Sequence, residues 1–110
     1  MAIDNVNIVD LIGTDKKTGD VMLTISDHLD WHDINSHIVI WQEKINSYLR
    51  FIESGEIYKS YPNSKKKRII IEVVCKYELP PEGIDFMEKA KIIMEKATIE
   101  IRHSLLNSTP

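Results

Sequence analysis

Cysteine is almost absent: Cys75 stands alone in 110 residues, so no disulfide can form within the chain. That suits a reducing compartment, and a cytoplasmic protein is expected. Long hydrophobic runs are missing too. Apolar stretches span only a few residues, far short of the ~20 that cross a bilayer. The opening MAIDNVNIVD has neither the basic nor the continuous apolar region of a secretory signal, so no membrane association is expected. There is no paired-cysteine zinc motif, no GxSxG elbow and no dinucleotide fingerprint. GTDKKTGD, at residues 13–20, holds Lys17 and Thr18, but its glycines are misplaced for a phosphate loop. Ser26, Asp27 and His28 are sequence neighbours, whereas members of a catalytic triad meet in space. Positive charge is not in excess either: the net charge of −3 speaks against a dedicated nucleic-acid binder.

What is present describes an ordinary soluble domain, 43% hydrophobic and 28% charged. Residues 1–103 are expected to form one globular α/β domain, with 104–110 a frayed tail. NVNIVDLIG and VMLTIS read as two strands around a polar loop, a hairpin. From Asp33 the period lengthens. Ile34, Ile38, Trp41, Ile45, Leu49 and Ile52 mark one face of a helix of roughly twenty residues, with Asp30 or Asp33 as its cap and Gly55 just past its end. A connector, EIYKSYPNSKKK, leads to RIIIEVVCKY. There Ile69, Ile71, Val73, Cys75 and Tyr77 alternate with Ile70, Glu72, Val74 and Lys76. Pro81 then opens a second helix, whose inward stripe reads Phe86, Met87, Ala90, Ile93, Met94 and Ala97. TIEIRH closes the fold as a short strand.

The order β-β-α-β-α-β makes the last three strands parallel and the first antiparallel. Right-handed crossovers advancing across the sheet place both helices on one face. The expected fold is therefore α+β, a two-layer α/β sandwich with a four-stranded mixed sheet. Ile69, Ile71, Val73, Trp41, Ile45, Leu49, Phe86 and Ile93 should share its core. Met22, Ile70 and Val74 fall on the uncovered sheet face, and an apolar patch there predicts a homodimer.

VDLIGTDKKTGDVMLTISDHLDW, QEKINSYLRFIESGEIY and VVCKYELPPEG together resemble a family of small bacterial proteins classed as a domain of unknown function. LTISDHLDW and FIESGEIY are the most distinctive stretches, and the likeness spans most of residues 4–102. The resemblance implies a stand-alone bacterial domain and carries over no activity, cofactor or catalytic residue.

The densest chemistry lies in TISDHLDWHD, residues 24–33. His28 and His32, four residues apart, would place two imidazoles on one helical face, and Asp27, Asp30 and Asp33 supply carboxylates. His28, His32 and Asp30 are therefore the candidate metal ligands, the basis of a second reading as a metal- or small-ligand-binding domain, possibly a hydrolase. However, Leu29 stands where an HExxH site needs its glutamate. The carboxylates also fall at a helix entrance, where backbone N–H groups and the helix dipole favour them. The preferred reading is a helix entrance with Asp27, His28, Asp30, Trp31 and His32 as a binding surface, no catalytic residue and no cofactor. Trp31 either folds over the helix end or stands out as an aromatic anchor. Lys65, Lys66, Lys67 and Arg68 form a local basic run that polarises an acidic chain. Lacking interleaved aromatics, it is a weak nucleic-acid platform. The function expected is that of a small non-enzymatic interaction protein (a regulator, a subunit or a toxin-neutralising immunity protein), with a protein or a second copy as partner.

Overall fold

The computed structural model describes residues 11–62 and 67–106. Strands β1 (Leu11–Thr14), β2 (Val21–Asp27), β3 (Ile69–Cys75) and β4 (Ile99–Leu105) form one sheet in the order β1-β2-β3-β4. β1 pairs antiparallel with β2, and β2–β3 and β3–β4 pair parallel, so the mixed four-stranded sheet is as predicted. The hairpin loop closes through Asp15, whose N–H donates to the Asp20 carbonyl at 2.8 Å. Its carboxylate accepts from the N–H groups of Lys17 and Thr18, and those bonds hold the Asp15 pKa below the ordinary value. The first-strand residues before Leu11 lie outside the described residues, as do Lys65 and Lys66 of the basic run.

Alternation decides which side of the sheet is covered. Val21, Leu23 and Ile25 of β2, Ile69, Ile71 and Val73 of β3, and Ile99 and Ile101 of β4 are all buried in one core. Trp41, Ile45 and Tyr48 of α1 (Ile34–Glu53) and Met87, Ala90 and Met94 of α3 (Pro81–Lys96) pack onto that same face. α1 buries His37, Trp41, Lys44, Ile45, Tyr48 and Ile52, spaced three and four residues apart. It ends where Gly55 turns left-handed at φ +82° and donates to the Ile52 carbonyl.

Four expectations change. The connector after Gly55 is not irregular: Glu56–Ser60 forms a short helix, α2, and its Ile57 is fully buried. α3 presents Gly83, Met87, Ala90 and Met94 to the core. Ile93, expected inward, is 59% exposed, and Phe86 and Leu49 pack only at the core margin. Neighbours at i+3 and i+4 define a stripe only to within a residue, and the small Ala90 and Gly83 let the chain roll toward the two methionines. β3 stops at Cys75, leaving Tyr77 exposed. β4 runs on through Ser104 to Leu105, so ladder hydrogen bonds hold the first two residues assigned to the frayed tail. Residues 107–110 lie outside the described residues.

The sheet face away from the helices is not the apolar patch anticipated. Ile70 is buried, and Met22 and Val74 are half-buried. Beside them runs a charged row in which Arg102 approaches Glu72 at 3.7 Å and Glu100 at 3.5 Å, and Arg68 bonds Glu100.

Candidate functional site at the entrance of the first helix

β2 delivers Asp27 with the same parity as Val21, Leu23 and Ile25, so its carboxylate points into the core at the carboxyl end of the strand. It is 2% exposed, as is His37 from the first turns of α1. Asp27 is therefore not part of a binding surface; it is an internal anchor. Its Oδ1 accepts from the Leu29 N–H at 3.1 Å. Its Oδ2 accepts from Trp41 Nε1 at 2.7 Å and meets His37 Nε2 at 2.6 Å. His37 Nδ1 lies 2.8 Å from the Asp30 carbonyl. A carbonyl only accepts, so the ring donates from Nδ1 to Asp30. A buried carboxylate needs such satisfaction, because an isolated one is too costly to desolvate. Strand end, loop and helix are thus tied at one point.

Trp31 covers this anchor. Its ring stacks on His37 at 3.6 Å between centroids and 13° between planes, and meets Trp41 edge-on at 5.3 Å. It folds over the helix end and is half-buried, not standing out. On its other side it leans on α3 at Gly83, where an added Cβ would lie 3.3 Å from the indole. Glycine there allows α3, the loop and α1 to meet.

His28, Asp30 and His32 remain exposed. Asp30 accepts from the N–H of His32 and bonds its Nδ1. The ring bond, then the backbone bond, lowers the Asp30 pKa, and the carboxylate holds that of His32 above 6.5. Asp33 is the cap of α1: Oδ1 accepts from Ser36 N–H at 3.2 Å and Oδ2 from Ser36 Oγ at 2.9 Å, which lowers its pKa. All three loop aspartates therefore satisfy backbone donors. Asp33→Ala should lower stability measurably through loss of the N-cap. Asp30→Ala should cost less, its turn being exposed; urea melts of the two variants compare them.

A surface depression of about 380 Å3 opens beside the anchor, lined by His28, Leu29, Asp30, His32 and Tyr77 among others. It gathers the three candidate metal ligands, yet among the described residues no group of three His, Cys, Asp or Glu is placed to hold a metal ion. Cys75, buried near Asp27, is an unreactive thiol: burial, then the Asp27 charge, pushes its pKa up to about 12. His37 is the participant whose role sequence reasoning missed. Its signal was present, four residues before Trp41 on the same helical face.

The model of a family described as a family of unknown function, DUF6572, matches residues 1–107. No curated protein and no solved structure matches the chain.

Proposed function

The chain belongs to this family of unknown function, and we propose that it is a small non-enzymatic binding protein of the cytoplasm. Its recognition surface is the depression formed by His28, Asp30, His32 and Tyr77, and its partner is another protein. A regulator, a subunit or an immunity protein would each use such a surface. One observation carries this reading. Three groups that could perform acid–base or nucleophilic work are committed to the fold: Asp27 to His37 and Trp41, Asp33 to the helix cap, and Cys75 to the core. The polar groups left at the rim suit recognition. His37, bonded to the buried Asp27, lines the same depression, and the carboxyl end of a parallel strand is where α/β sheets present binding groups.

A photo-crosslinking side chain at Tyr77, introduced in the cell of origin, should capture one protein in preference to others. His28→Ala should reduce that capture about tenfold, the effect of losing one good interface contact, with the melting temperature unchanged. Stoichiometric metal in protein purified without chelator, released by His28→Ala or His32→Ala, would overturn the reading in favour of a metal site.

A further inference from the structure

We propose that two copies of this chain join along β4, antiparallel about a two-fold axis at Ile101, so that two four-stranded sheets become one. The inference is independent of the depression at the entrance of α1 and assigns self-association to a sheet edge instead of a sheet face.

The strand order leaves β4 at an edge, seven residues long and in unbroken register with β3. Edge strands are usually blunted by proline, charged side chains, a bulge or a covering segment. Ile99–Leu105 contains no proline, lysine or bulge, and its charges, Glu100 and Arg102, are opposite in sign. Hydrogen-bond direction shows which amides are open. Leu106 donates its N–H to the Cys75 carbonyl. Alternation along a strand then turns the amides of Glu100, Arg102 and Ser104 toward β3 and those of Ile99, Ile101, His103 and Leu105 outward; the pairing about Ile101 uses the first three. Among the described residues no strand pairs with β4 on that side.

The side chains argue for a second copy rather than a foreign strand. With Ile101 opposite Ile101 of the second copy, the two exchange both backbone bonds. Glu100 then falls opposite Arg102 of the second copy, and Arg102 opposite its Glu100. These are non-hydrogen-bonded pairs, where Cα atoms approach to about 4.5 Å and side chains are closest. Opposite charges directly across such a pair attract, and like charges repel. Two-fold symmetry makes each pairing occur twice. Both residues lie on the face away from the helices, since their neighbours Ile99 and Ile101 point into the core.

Sedimentation equilibrium on the full chain tests this. The wild type should dimerise. Arg102→Glu and Glu100→Arg, each bringing two like-charge pairs together, should each weaken the dimer by about tenfold or more. Mixing the two variants should restore association as a one-to-one heterodimer, because every facing pair becomes opposite in charge. This outcome cannot come from misfolding. A wild type that stays monomeric at high concentration would overturn the proposal, as would variants that dimerise undiminished or a mixture that stays monomeric. A dimer that resists both charge changes but yields to Val74→Glu would place the contact on the sheet face away from the helices and overturn it too.

Discussion

Asp27→Ala should lower the free energy of unfolding by about 3–5 kcal/mol, the cost of removing one partner from a buried, hydrogen-bonded pair. A domain of this size has about 5–15 kcal/mol in total, so the variant should sit near its folding threshold. The mechanism is the donors left behind. Trp41 Nε1, the His37 ring and the Leu29 N–H all converge on this carboxylate, and the closed core offers no replacement. Asp27→Asn makes the test sharper. An amide has one acceptor and one donor end. If the oxygen occupies the Oδ2 position, the NH2 faces the Leu29 N–H; if it is turned round, the NH2 faces Trp41 Nε1. One donor is thus opposed in either orientation, and the variant should lose about 1–3 kcal/mol, the penalty for an unsatisfied buried polar group. Urea denaturation with an unchanged slope would check both. An Asp27→Ala protein of wild-type stability would show that the anchor contributes nothing.

Ile57→Ala should be nearly as damaging, at about 2–5 kcal/mol for a large-to-small change in the core. Ile57 comes from a helix of five residues, yet its side chain is fully buried among strand and helix residues. Ile93→Ala, in a much longer helix, should change stability by no more than about 0.5 kcal/mol because that side chain is exposed. Thermal melts of the two variants side by side decide whether burial or helix length governs the cost. Equal losses would contradict the packing described above.

These two isoleucines also mark where the sequence was legible. β2 and β3 could be read because a strand repeats every two residues, and seven residues suffice to show the alternation. α1 could be read because its twenty residues contain several turns of one stripe. α2 could not, since five residues hold little more than one turn and no periodicity can emerge. α3 was recognised and Met87, Ala90 and Met94 were placed inward, but so was Ile93, which is more hydrophobic than Ala90 yet lies outside, because close approach to neighbours favours small residues there. At the site, Asp33 was visible as a cap from its place before the stripe. The inward turn of Asp27 was implicit in its parity with Ile25, but a carboxylate is buried only when partners await it. Those partners, ten and fourteen residues further on, are brought to it by the packing of α1 on β2.

The chain has two tryptophans, Trp31 and Trp41, and both belong to the one ring cluster around His37. The intrinsic fluorescence of this protein is therefore a local signal, emitted from the entrance of α1. An occupant of the neighbouring depression that shifts the imidazole against the indole alters that emission directly, with no probe attached. Unfolding curves followed by tryptophan emission and by far-ultraviolet dichroism accordingly report different parts of the molecule, the first this corner and the second the whole backbone.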